Sequence, residues 1–286
     1  MDRTVAVRPL TDFGFAGVVD HADLRRCAAG SRATALVELL HRFGVLVLPA
    51  QALDPDALLE FAARLGAPES VRPVEHRLPG TEHVRLQSNL PGVGVNGGGS
   101  YWHSDGSWKP LPTAATILLC AAAPREGGTT TFVDGRAFYS ELEPTLRERV
   151  DAEVGFYPCR QILRDELSMM AIADEPMVAA AADVRHPLVR VHPSTGARAL
   201  ILNEGWLRAE SERAAALLAV LYERLNHSAH RYLHRWAEGD VLIWDNWVTM
   251  HRAAPVADDQ SKVTWRVTIE TWSPPSALAA ALLGKE

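Results

Sequence analysis

The sequence predicts a mainly β fold of the sandwich or jelly-roll kind, with helices on its flanks. Six short runs rich in Val, Ile, Leu, Thr and Trp lie in the second half of the chain or just before it, separated by turn signals. Helical periodicity is confined to the first quarter and to one stretch near 211–225. The 286 residues are 47% hydrophobic and no linker-like stretch divides them, so a single domain over 1–286 with a sizeable core is expected.

The elements follow in order. Ser31 to Phe43 reads as a helix with Ser31 as N-cap, Gly44 past its end, and Leu36, Leu39, Leu40 and Phe43 as its apolar stripe. Val45-Leu46-Val47-Leu48 reads as a buried strand closed by Pro49. Asp54-Pro55 starts a second helix, because Asp caps and Pro suits the first helical position; it runs to Leu65 and stops at Gly66. From Ala67 to Gly99 the pattern dissolves among Pro68, Pro73, Pro79, Pro91 and Gly97-Gly98-Gly99. A long loop of this kind reads as a lid or insert over 67–100, or as a plain surface connection. The strands expected next are Thr116–Cys120, Thr129–Val133, Leu188–His192, Ala199–Leu202, Val241–Trp244 and Trp265–Thr271, with a helix over Ser211–Leu225 between them. A variable segment is expected over 155–185.

Composition narrows the function classes. The net charge is -6 and no basic block occurs, so nucleic acid is not expected as the partner. The longest apolar run, near Ala114 to Ala123, is too short to span a bilayer, and Met1-Asp2-Arg3-Thr4 lacks the apolar stretch of a signal peptide. Cys27, Cys120 and Cys159 are far apart and odd in number, which fits a reducing cytoplasm better than a disulfide framework. A small-molecule substrate is the expected partner, with a homo-oligomer left open.

The densest local signal is Tyr101-Trp102-His103-Ser104-Asp105. On a strand, residues two apart share a face, so His103 and Asp105 can hold one cation. The second signal is Gly239-Asp240-Val241-Leu242-Ile243-Trp244-Asp245-Asn246, a turn and a buried strand, after which the chain presents His251. Two imidazoles and one carboxylate suit iron(II) and leave three coordination positions open on one side. The chain has eleven histidines; His41 reads as an ordinary surface or bonded residue, and His186 and His192 rank below His251 as ligands.

In these residues the chain resembles the TauD/TfdA family of Fe(II)/2-oxoglutarate dioxygenases. The pieces are Trp102-His103-Ser104-Asp105, Pro112-Thr113-Ala114-Ala115, Gly127-Gly128-Thr129-Thr130, His186-Pro187-Leu188-Val189-Arg190 with His192-Pro193, Leu202-Asn203-Glu204-Gly205, Trp244-Asp245-Asn246, His251-Arg252 and Trp265-Arg266-Val267-Thr268. Their collinear order over roughly residues 30 to 272 makes the match specific. The resemblance implies a double-stranded β-helix, the cupin-like jelly roll. It implies Fe(II) held by His103, Asp105 and His251, with 2-oxoglutarate and O2 as cosubstrates. Thr130 matches the hydroxyl that binds the distal carboxylate of 2-oxoglutarate. Family members often carry two arginines four apart in the last strand, where this chain has Lys262 and Arg266. Arg266 is the favoured clamp for that carboxylate, since its planar fork pairs bidentately. The alternative puts Lys262 on 2-oxoglutarate and frees Arg266 for an anionic group of the substrate.

The expected activity is oxidation of a C–H bond by hydroxylation, desaturation or epoxidation. Asp105 argues against a halogenase, which needs that position vacated. Sulfonate-using members carry a histidine in the stretch matching Leu65 to Val71, and none is present. Trp102, Met169, Met170 and Arg266 are the candidate substrate residues; Met adapts to a bulky apolar ligand, and ordinary packing is the other reading of the two methionines. A natural-product intermediate such as a terpenoid is the first expectation. A small carboxylate used in catabolism is the second, and a binding protein that lost catalysis is the third.

Overall fold

The computed structural model describes residues 6–27, 31–95, 99–170, 172 and 175–272. Side-chain alternation decides how its sheets are layered. In the strand Val241–Asp245, Val241 and Ile243 join one apolar cluster and Leu242 and Trp244 another, so the strand is buried on both faces. It lies within an eight-stranded sheet between Val45–Leu48 and Ala115–Ala122, antiparallel to both. Val263–Trp272 pairs with the far side of Ala115–Ala122, and on its other edge with Gly66–Pro68 and Arg85–Ser88.

One face of this sheet is covered by the helices Ser31–Phe43 and Pro55–Leu65, whose Leu36, Leu40, Leu58 and Phe61 pack with Leu46, Ile117, Ile243 and Ile269. The other face meets a three-stranded sheet with Thr130–Asp134 between Arg231–His234 and Thr249–Ala253. Phe132 of the small sheet packs with Val47, Leu118, Leu242 and Trp244 of the large one. Behind the small sheet, Val133 and Met250 pack with the helices Cys159–Met169 and Glu212–Asn226. Full burial of each large apolar side chain contributes roughly 1.5–3 kcal/mol, so these three clusters hold the layers together. The architecture is mainly β with flanking helices, as expected.

The capped helices match their predicted bounds closely. Asp54 Oδ1 accepts the Ala57 N–H at 2.8 Å, and Ser211 Oγ accepts the Ala214 N–H at 3.1 Å. The side chain of Ser31, and Gly97-Gly98, lie outside the described residues.

Three expectations are corrected. The stretch after Ala67 is not all loop: Gly66–Pro68 and Arg85–Ser88 join the large sheet. Arg85–Ser88 is short and mostly polar, and its conformation comes from pairing to Val263–Arg266 and from bridges to Arg77 and Val95. Tyr101–Asp105 is not a strand but an irregular segment, from a bend at Tyr101 to a turn at Asp105, with a single bridge, His103 to His251. His251 comes after Val241–Asp245, though not at that strand's end; it sits at the centre of the next strand, Thr249–Ala253, opposite Phe132.

Candidate active site

His103 and His251 face each other across that single antiparallel bridge. The His103 N–H donates to the His251 carbonyl at 3.0 Å, and the His251 N–H returns a bond to the His103 carbonyl at 2.7 Å. Residues paired in this way project to the same face, and the two ring centroids are 4.2 Å apart. Asp105 reaches the same point, with Oδ1 3.6 Å from His103 Nε2 and Oδ2 3.9 Å from His251 Nε2. All three ligand atoms lie within 4.8 Å of one another.

The protonation of this set suits a divalent metal. His103 Nδ1 lies 2.9 Å from the Tyr101 carbonyl, which can only accept, so Nδ1 is the donor there and Nε2 is the atom turned to Asp105. Burial, with His103 beside it, pushes His251 down to about 3, so it is neutral near pH 7. Burial opposes ionisation of Asp105, but the Arg266 charge beside it overcomes this and holds the carboxyl well below its usual range. Arg266 Nη2 is 2.9 Å from Asp105 Oδ1. Two imidazoles and one carboxylate form the donor set of iron(II).

Residues without a sequence-assigned role orient these ligands. Thr116 Oγ1 donates to Asp105 Oδ2 at 2.7 Å, Asn246 Nδ2 donates to Thr116 Oγ1 at 3.0 Å, and Ser104 Oγ donates to the Asn246 carbonyl at 2.6 Å. Thr116 was legible as the one hydroxyl in the apolar strand Ala115–Ala122. Asn226 was not, because it ends a helix far from any motif. Its Oδ1 accepts Trp102 Nε1–H at 2.8 Å and Arg252 Nη1–H at 2.9 Å. Those two residues adjoin His103 and His251 respectively, so Asn226 brackets the two ligand segments. Asn226→Leu is expected to weaken Fe(II) binding about 10- to 100-fold, read by competition with a chelator in the absence of turnover. Asn226→Asp, which keeps the acceptor, is expected to recover most of it; equal Fe(II) affinity in all three proteins rules the bracket out.

A cavity of about 1140 Å³ adjoins the cluster and is lined by His103, Asp105, His251, Thr130, Lys262 and Arg266 among others. Thr130 and Lys262 share one end of it. Thr130 Oγ1 accepts Trp236 Nε1–H at 3.0 Å, and Lys262 Nζ stands 4.7 Å from the centre of the Trp236 ring. Lys262 Nζ also donates to the Gly128 carbonyl at 2.6 Å, and burial pushes this lysine down to about 8. Gly128 has φ +57, and a Cβ there would meet Pro124 and Val256 at 3.0 Å and Lys262 Cδ at 3.3 Å. Arg266 lies instead beside Asp105. Farther along, Trp108 and Trp206 stack with centroids 4.5 Å apart and give the cavity an aromatic wall.

The remaining candidates are placed as follows. Met169 and Met170 line the cavity at its rim, 80% and 40% exposed. Trp102 is fully buried and is not among the lining residues; its ring lies under the Arg252 guanidinium at 4.6 Å. His186 Nε2 bonds the Lys109 carbonyl at 2.8 Å. His41, His192 and Asp245 form a second grouping with metal-compatible spacing. His192 has no lone pair left for a metal: Nε2–H faces Asp245 Oδ2 at 2.9 Å, and Nδ1 accepts the N–H groups of Ser194 and Thr195 at 3.1 Å each. Among the described residues no helix is long and apolar enough to cross a membrane, and Cys120 and Cys159 are free and buried.

Comparison with known proteins agrees with this geometry. The family profile described as "Taurine catabolism dioxygenase TauD, TfdA family" matches residues 6–268. The (S)-phenoxypropionate/alpha-ketoglutarate-dioxygenase of Sphingobium herbicidovorans is 28% identical over 250 residues, covering 79% of this chain and 82% of that protein. The alpha-ketoglutarate-dependent 2,4-dichlorophenoxyacetate dioxygenase of Cupriavidus pinatubonensis is 29% identical over 269 residues, covering 87% and 92%. The crystal structure of a taurine dioxygenase from Burkholderia xenovorans is 26% identical, with a TM-score of 0.75 over 93% of this chain and 90% of that one.

Proposed function

This chain belongs to the TauD/TfdA family of 2-oxoglutarate-dependent dioxygenases, and from that membership we propose that it oxidises a C–H bond of a small organic acid with an apolar body. Fe(II), 2-oxoglutarate and O2 are the reagents of the family, and once bound they supply the oxidising power. What this chain's own residues contribute is position. His103, Asp105 and His251 hold the metal. The two facing sheets form the double-stranded β-helix that presents them.

The observation that carries this reading is the separation of two cationic groups along one cavity. Lys262 and Thr130 meet around Trp236 at one end, which suits the distal carboxylate of 2-oxoglutarate. Arg266 stands at the metal end, where its guanidinium fork suits an acidic group of the substrate. This inverts the preference for Arg266 on 2-oxoglutarate and adopts the alternative. Trp108 and Trp206 offer the apolar body a flat wall. The segments over 67–100 and 155–185 act as the walls that select the substrate, since Arg85, Gln87, Leu163 and Leu167 from them line the cavity. The two relatives named for aryloxy acids support an acid over a neutral terpenoid.

Anaerobic titration of the protein with Fe(II) and 2-oxoglutarate is expected to give a weak visible charge-transfer band. Substrate-dependent succinate release is then read over a panel of aryloxyalkanoic acids, aliphatic acids and terpenoids. Acids are expected to turn over, and Arg266→Gln to raise their KM. Turnover confined to neutral terpenoids restores the natural-product reading, and the absence of any band favours a binding protein.

A further inference from the structure

The strand Arg85–Ser88 places an unusual pair of like charges in the cavity. Arg85 is the direct cross-strand partner of Arg266 in the antiparallel ladder, and both side chains line the cavity. Like charges placed opposite each other destabilise a sheet. The Nε atoms of both arginines are buried and have no hydrogen-bond partner. Arg85 Nη2 lies 2.9 Å from His76 Nδ1, which must accept, since a guanidinium only donates. Burial, helped by Arg85, pushes His76 down to about 4, so it brings no charge of its own near pH 7.

The acids that line the cavity, Glu69, Asp105, Glu166 and Asp258, leave Arg85 without a direct partner. Among the described residues it takes part in no ion pair, whereas Arg266 pairs with Asp105. Asp105 is also committed to the metal. Glu69 pairs with Lys109. Glu166 accepts a hydrogen bond from Trp206 and feels the Arg85 charge without pairing to it directly, and Asp258 is exposed. With Fe(II) and 2-oxoglutarate in place, the iron charge is met by Asp105 and the keto-acid carboxylate, and Lys262 by the distal carboxylate. Arg85 and Arg266 then stand opposite each other with both Nε atoms unpartnered, an arrangement that an anionic ligand relieves.

We propose that the substrate's polar end carries two negative charges, as in a phosphomonoester or a dicarboxylate, and that Arg85 binds the second beside Arg266. This rests on the reading of an acidic substrate given above and adds a class to it. Gln87 projects from the same strand face as Arg85 and also lines the cavity, so it can donate to a further oxygen of such a group. The stacked Trp108 and Trp206 take the apolar remainder.

The test uses the Fe(II)- and 2-oxoglutarate-loaded protein without oxygen, with binding read by calorimetry. Phenoxyacetate supplies one charge; phenyl phosphate and phenylmalonate supply two on different groups. One of the dianions is expected to bind at least about tenfold tighter than phenoxyacetate, and the tighter one names the group. Arg85→Gln is expected to erase that preference, leaving phenoxyacetate and 2-oxoglutarate affinities within about threefold of the parent. Arg266→Gln is expected to weaken all three acids. Equal binding of mono- and dianions, or an Arg85→Gln loss shared by every acid, overturns the second-charge site while the acid reading stands. Binding of no acid overturns that reading and this site with it. Thermal stability supplies an independent check: removing an unbalanced cation is expected to raise the Tm of ligand-free Arg85→Gln. A fall in Tm marks Arg85 as structural and overturns the proposal.

Discussion

His251→Ala is expected to abolish Fe(II) binding and 2-oxoglutarate turnover together while leaving the β architecture in place. The ring is one of the three ligands in the proposed centre, and burial keeps it neutral down to about pH 3, so near pH 7 it is in the form that can ligate. Two remaining ligands cannot hold the metal with one hemisphere fixed and the other open. The loss in kcat/KM is expected to be on the order of a thousandfold or more, since the metal supplies several kcal/mol. The fold is held by other contacts. The His251 ring packs against Phe132 at 5.6 Å and Trp244 at 4.9 Å, and its truncation leaves a void beside them. A destabilisation of about 1–3 kcal/mol follows, with an unchanged far-ultraviolet circular dichroism spectrum. Retained Fe(II)-dependent succinate release in this variant would sink the assignment of the triad.

Lys262→Met is expected to raise the KM for 2-oxoglutarate by about 10- to 100-fold, the worth of a charged hydrogen bond of roughly 1.5–3 kcal/mol. The pH dependence follows from the same residue. Burial lowers its pKa to about 8, so the cation is present below that pH and lost above it. Binding of a dianionic cosubstrate needs the charged form. Thus kcat/KM for 2-oxoglutarate is expected to be flat below pH 8 and to fall above it, while bound cosubstrate shifts the corresponding limb of kcat upward. Lys262→Arg is expected to remove the alkaline limb, because arginine stays charged. If Arg266 were the clamp, Lys262→Met would leave the KM unchanged and the pH limb would persist.

The helices were legible because their signals are local: Asp54-Pro55 and Ser211 act within one turn of themselves. The buried strands of the large sheet were legible from their continuous apolar runs. Arg231–His234 was not, because Arg231-Tyr232-Leu233-His234 is short and mostly polar and owes its conformation to pairing with Thr130–Asp134. The helix Cys159–Met169 went unread for a related reason: its stripe of Ile162, Leu163 and Leu167 faces a core that other elements supply.

The amino-acid sequence by itself determined the ligand types, the coupling of His103 to Asp105 at a spacing of two, and the hydroxyl of Thr130 after its glycine turn. Those features depend on neighbours along the chain, which the backbone holds at near-constant distance. The tertiary structure decided why His251 rather than His192 completes the set, how Lys262 and Arg266 divide the cavity between them, and that Arg85 stands opposite Arg266. Each of these depends on the register of strands remote in sequence. A shift of one residue there turns a side chain to the other face of the sheet, so no local pattern can encode it.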